Sequence, residues 1–109
     1  MSHPQWQVLS PEQGALNGAL DRDKVPSLWV ILQQWQPLSA RCTISLRDVS
    51  RVDSAGMVML IHLIEHAKKQ NCHIMLSFVP EQLRTLFQLS NIETMMAQHL
   101  EQPAGVNCG

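Results

Sequence analysis

His62-Leu63-Ile64-Glu65-His66 is the first place in this chain where residue types and spacing could do chemistry. Two histidines four residues apart share one face of a helix, and in some metalloproteases an HxxEH pair of this kind supplies two zinc ligands. A catalytic zinc needs a third ligand and a cleft, and no matching acidic helical motif occurs in the rest of the chain. The pair therefore reads as two helix-surface histidines, with His62 available to a partner and no metal expected. Asp21, Asp23, Glu65 and Glu81 form no paired-carboxylate pattern, and there is no phosphate-binding GxxxxGK loop or GxSxG elbow. Ser54 has only His62 or His66 as nearby bases and no oxyanion-hole motif. Cys42, Cys72 and Cys108 lack CxxC spacing, and the first two precede strand-like runs, so they read as small core thiols of a reducing compartment. The expectation is a protein that is not an enzyme and carries no cofactor.

The stretch Val52-Asp53-Ser54-Ala55-Gly56 is more informative, because a strand end meets a helix start there. Asp53 or Ser54 can accept bonds from the free N–H groups of the first turn, while Ala55 and Gly56 keep that turn uncrowded. The same place suits an added phosphate, since free amides and the helix dipole favour negative charge. A plain capping turn and a switch at Ser54 both stand at this point. An uncharged Ser54 could also touch a partner directly, and a phosphate would then break that contact by bringing in about two negative charges.

The helix that follows is apolar on more than one side. Leu60, Ile61, Ile64 and Ala67 form a stripe that can face a sheet, leaving Val58, Met59, His62 and Leu63 partly elsewhere. Cover from C-terminal helices and a partner-binding patch both account for the surplus.

Positioning that helix requires a particular order of elements. Residues 6–9 and 14–20 are strand-like runs joined by the turn chemistry of Ser10-Pro11-Glu12-Gln13. Residues 26–36 repeat apolar side chains at helical spacing, with Pro26 in the first turn and Pro37 as a stop. Residues 42–46 alternate as a third strand, followed by a polar turn at Arg47-Asp48 and a short apolar step over 49–52. A helix over 54–70 ends at Asn71, residues 73–79 make a fourth strand, and Pro80 opens a helix to Leu89. Ser90 is placed to cap a last helix over 92–100. This order predicts an α/β fold with a mixed sheet of four to five strands, parallel central pairs and about four packed helices. With 109 residues, 45% hydrophobic, one domain over residues 1–100 is expected, and residues 101–109 read as a flexible tail without assigned role.

Eight basic and nine acidic residues leave a formal charge of -1, which offers no general attraction to nucleic acid or anionic lipid. The longest apolar run, residues 57–61, is far short of the roughly 20 needed to span a bilayer, and the start Met1-Ser2-His3-Pro4-Gln5 lacks the order of a signal peptide. A cytoplasmic protein without membrane insertion is expected.

At two separated motifs, Leu16-Asn17-Gly18-Ala19-Leu20-Asp21 and Val52-Asp53-Ser54-Ala55-Gly56, the chain resembles the STAS family of anti-sigma factor antagonists and anion-transporter regulatory domains. More narrowly, Leu20-Asp21-Arg22-Asp23 with Leu28-Trp29, and residues 62–65 with 67–70, resemble the cytoplasmic STAS subunits of Mla phospholipid-transport ABC complexes of Gram-negative bacteria. That resemblance implies binding to the transporter's ATPase subunit, in complex with its permease and substrate-binding subunits. It implies peripheral attachment to the inner membrane and a part in outer-membrane lipid asymmetry. Partner binding is assigned to Asp53, Ser54, Ala55, Val58, Met59 and His62. In antagonist relatives the hydroxyl residue directly after the motif aspartate is phosphorylated, here Ser54, so the alternative is an antagonist switched at Ser54. Ala55, where antagonists often carry a second hydroxyl, departs from that pattern.

Overall fold

Alternation of buried and exposed positions explains the sheet. In the computed structural model, which describes residues 4–100, β1 (Trp6–Ser10) and β2 (Gln13–Leu20) form an antiparallel hairpin with a bulge between Val8 and Ser10. Helix α1 (Val25–Leu32) leads to β3 (Arg41–Val52), parallel to β2, and α2 (Ser54–Lys69) leads to β4 (His73–Ser77), parallel to β3. Helix α3 (Glu81–Leu89), the short α4 (Glu93–Met96) and a 3₁₀ turn (Ala97–His99) follow. The sheet order is β1-β2-β3-β4. Leu16, Leu20, Ile44, Leu46, Ile74 and Leu76 line one face of it, in the core with Leu28 and Leu32 of α1, Leu60 and Leu63 of α2, and Leu83 and Phe87 of α3.

Three expectations are corrected. Strand β3 runs unbroken through Arg47 and Asp48, because shifts in its pairing with β2 between Ala15 and Asn17 and between Gly18 and Ala19 absorb the extra polar residues as bulges. Beyond Ser77, where β4 has ended, the side chain of Gln82 on α3 accepts the Val52 N–H at 2.8 Å. Helix α1 stops at Leu32, four residues early, and tightens into i→i−3 bonds at Gln34 and Trp35, which puts the Trp35 ring edge-on to Trp6 at 5.4 Å. Ser90 ends α3 and caps nothing after it: Asn91 turns left-handed at φ 57°, and the Ile92 N–H bonds the Phe87 carbonyl. The last segment is therefore two short pieces instead of one helix over 92–100. The expected tail, 101–109, lies outside the described residues.

The end of α2 follows its sequence signal closely. Asn71 adopts φ 62°, its N–H bonds the Lys68 carbonyl, and the Cys72 N–H reaches back to Ala67. This double closure satisfies the last carbonyls and aims the chain directly into β4. Cys42 and Cys72 are buried in the core, as expected.

Candidate partner-docking site at the start of α2

Asp53 joins three elements. Its Oδ1 accepts the N–H groups of Ala55 (2.9 Å) and Gly56 (3.2 Å), capping α2, and its Oδ2 accepts the Arg22 N–H at 3.2 Å. Its own N–H donates to the Leu20 carbonyl at 3.2 Å, fastening the end of β3 to the end of β2. Partial burial pushes the Asp53 carboxyl up, but the bonds from Gly56, Arg22 and Ala55 and the nearby Arg51 charge outweigh it and hold the group below its ordinary range. Of the two local readings of this turn, the cap is present, and Asp53 supplies it. Ser54 occupies the first helical position, is exposed, and its hydroxyl is engaged by no other described residue.

Gly56 fixes how close α2 comes to the sheet. A Cβ there would lie 2.1 Å from the Leu20 carbonyl oxygen, so the helix start rests directly on β2 backbone. This close approach holds Ser54 and Ala55 at the rim, facing α1.

Between α1 and α2 lies an open groove of about 440 Å³. Val25, Pro26 and Trp29 form one wall, and Ser54, Ala55, Val58 and His62 the other. Val58 is 44% exposed, and the His62 ring sits 6.0 Å from that of Trp29. Met59, expected to present itself to a partner, is only 2% exposed: it reaches the groove's floor while packing in the core. Leu63, expected partly outside, is fully buried. The surplus apolar residues of α2 are thus largely covered within the fold, and Val58 is the aliphatic side chain of the assigned set that stands open. Of the six assigned residues the structure gathers Ser54, Ala55, Val58, Met59 and His62 on one groove, with Asp53 holding the turn behind them. Sequence reading missed the α1 wall; the signal was Val25 and Trp29, three residues from the buried Leu28 and Leu32 and so at the flank of the same helical stripe.

The second histidine is committed elsewhere. His66 Nε2 lies 2.7 Å from the Trp35 carbonyl and 2.9 Å from the Gln70 side chain, so it stitches α2 to the turn after α1. Among the described residues no group of three or more His, Cys, Asp or Glu is placed to hold a metal, and no helix is long and apolar enough to cross a membrane.

A mixed sheet under helices, with a capped turn carrying β3 into α2, defines a STAS-like α/β domain. The fold matches the anti-sigma factor antagonist SpoIIAA in its unphosphorylated form at a TM-score of 0.68, with 16% identity, 93% of this chain and 88% of that one covered. The STAS domain of a SulP transporter from Vibrio cholerae matches at 0.57, with 16% identity over 89% of this chain and 78% of its own. The family described as "Mlab, STAS domain" matches residues 11–100, and the chain belongs to it. It is 38% identical over 78 residues to the Escherichia coli K12 intermembrane phospholipid transport system binding protein MlaB, covering 72% of this chain and 78% of that protein, and equally similar to the Shigella flexneri protein of the same name.

Proposed function

We propose that this chain is a non-catalytic, cytoplasmic STAS subunit of an intermembrane phospholipid transport complex, docking on the ATPase subunit through the groove at the start of α2. Through that ATPase it belongs with the permease and substrate-binding subunits at the inner membrane, where it supports transport that maintains outer-membrane lipid asymmetry. The observation that carries the docking surface is the open apolar wall of Val25, Trp29 and Val58 next to an unengaged Ser54 hydroxyl. A protein surface with a matching helix would cover it, and exposed apolar surface rimmed by polar groups is characteristic of interfaces.

The test is co-purification with the ATPase subunit of the phospholipid transport complex from the same cells. Ser54→Glu and Val58→Asp change exposed side chains, so both should fold with unchanged circular dichroism yet lose complex by roughly tenfold or more. Retention of full-strength binding by both variants refutes the assigned surface.

The antagonist alternative rests on Ser54, an exposed hydroxyl at a helix start. Asp53 takes the Ala55 and Gly56 amides, but the motif aspartate also precedes the phosphorylated hydroxyl of antagonist relatives, so the cap does not separate the two readings. Intact-mass measurement on protein from its native cells separates the two: stoichiometric phosphate on Ser54 favours the switch.

A further inference from the structure

A second groove, of about 450 Å³, lies along the other half of α2, against α4 and the 3₁₀ turn. Ile61, Ile64, Met95 and Met96 give it an apolar floor, and Lys68 and Lys69 stand at its rim. Met95 is 54% exposed, an unbranched and polarizable side chain left uncovered where an apolar ligand body could lie. The volume falls in the range of about 300–1,000 Å³ typical of small-molecule clefts.

His99 closes one end. It is only 7% exposed, and its Nδ1 lies 2.8 Å from the Ile74 carbonyl, which identifies Nδ1 as the protonated nitrogen of the neutral ring. The other nitrogen, Nε2, has no hydrogen-bond partner among the described residues. His73 of β4 stacks on the ring at 4.6 Å, and Lys68 of α2 acts on it electrostatically. Among the described residues, two lysines and a histidine thus face one carboxylate, Glu65, in a chain whose formal charge is -1. The groove is a local positive site joined to an apolar floor.

We infer that this groove binds a small amphiphilic carboxylate, its carboxylate held between Lys68 and His99 and its apolar body lying over Ile61, Ile64 and Met95. A free inorganic anion would leave the floor unused, and a neutral amphiphile would gain nothing from the Lys68 charge at the rim. Burial, outweighing the bond to Ile74 and reinforced by His73 and Lys68, holds His99 neutral below its ordinary range. A bound carboxylate favours the charged ring, so binding takes up a proton and strengthens as pH falls. Glu65, Lys68 and Lys69 of α2 line the same groove, and His73 of β4 lies against the His99 ring from the sheet side.

Decanoate titrated into the full chain, followed by amide chemical shifts and calorimetry, tests this without any partner protein. Saturable one-to-one binding is expected, with shifts centred on residues 61–69 and 95–99 and an affinity several-fold higher at pH 6 than at pH 8. The exposed substitutions Met95→Glu and Lys68→Gln should weaken it by about tenfold and fivefold. Octyl glucoside and inorganic phosphate should each bind at least about tenfold more weakly than decanoate. Non-saturable uptake, equal affinity for octyl glucoside, or indifference to both substitutions overturns the inference. So does a groove that ignores decanoate but becomes protected on adding the ATPase subunit, which would make it a protein contact. Val58→Asp should leave decanoate binding unchanged, so failure of the docking reading and failure of this site are separable.

Discussion

Gly56→Ala tests the joint between α2 and the sheet most directly. The added Cβ would lie 2.1 Å from the Leu20 carbonyl oxygen and 2.9 Å from the Leu20 Cβ, and backbone cannot swing aside as a flexible side chain can. Helix α2 must therefore retreat by nearly an ångström, and the same carbonyl accepts the Asp53 N–H at a distance already 3.2 Å. Overpacking of this kind costs about 1–3 kcal/mol, and losing the Asp53 bond adds about 1 kcal/mol. Alanine's better helix propensity returns at most about 1 kcal/mol. The net loss is about 1–3 kcal/mol, a fall in melting temperature on the order of 10 °C for a domain of this size. Urea unfolding followed by tryptophan fluorescence and by far-UV circular dichroism should give coincident transitions at a lower midpoint with unchanged slope. A variant as stable as the parent, or more so, would mean that helix propensity governs this position and that the helix does not rest on Leu20.

Other substitutions read neighbouring parts of the same design. Met59→Asp places a charge in the core and should cost about 3–5 kcal/mol in chemical denaturation, whereas Val58→Asp, one residue earlier, should shift stability by less than about 0.5 kcal/mol. Asp53→Ala removes the cap and should cost about 1–2 kcal/mol. Because the Asp53 carboxyl is held low in the folded state, its contribution is complete above its ordinary titration range and fades as pH falls through the lowered value. Acid titration of the parent and of Asp53→Asn should show a shallower acid limb in the variant. Burial, with a smaller effect from Cys72, pushes the Cys42 thiol up to about 11, so the folded chain keeps that proton while the unfolded chain releases it near pH 8.5. Stability should decline between about pH 8.5 and 11, and Cys42→Ala should remove much of that slope in urea midpoints taken at pH 7 and pH 10.

The sequence was legible where one local signal decided the outcome. Asn71, tolerant of a left-handed backbone, ended α2 as expected, and Pro26 opened α1. It misled where a tertiary partner overrode the local signal. Arg47 and Asp48 looked like a turn, yet the bulged pairing with β2 kept them in the strand. Ser90 looked like a cap, yet Asn91 bound it into the closure of α3, with the Ser90 hydroxyl directed at the Met57 sulfur at 3.8 Å. For the candidate site, periodicity showed that α2 had more apolar faces than one sheet needs, but it could not say which were covered. The answer depended on where α1 and α3 packed, so Val58 stayed open while Met59 and Leu63 did not.

That distribution gives α2 two different surfaces. Its first turns carry an uncharged hydroxyl and aliphatic side chains opposite α1, in a groove whose described lining has no acidic or basic side chain apart from His62. Its last turns carry Lys68 and Lys69 above an apolar floor shared with α4. A helix dipole alone accounts for lysines at a C-terminus, but it does not account for the His99 ring beside them, whose Nε2 has no hydrogen-bond partner among the described residues. Because Gly56 and the closure at Asn71 fix the two ends of α2, a displacement that loosens one groove must be taken up along the helix axis toward the other. Chemical shifts at residues 95–99 in the Gly56→Ala protein therefore discriminate between a helix that pivots rigidly, which would move them, and one that frays at its first turn, which would not.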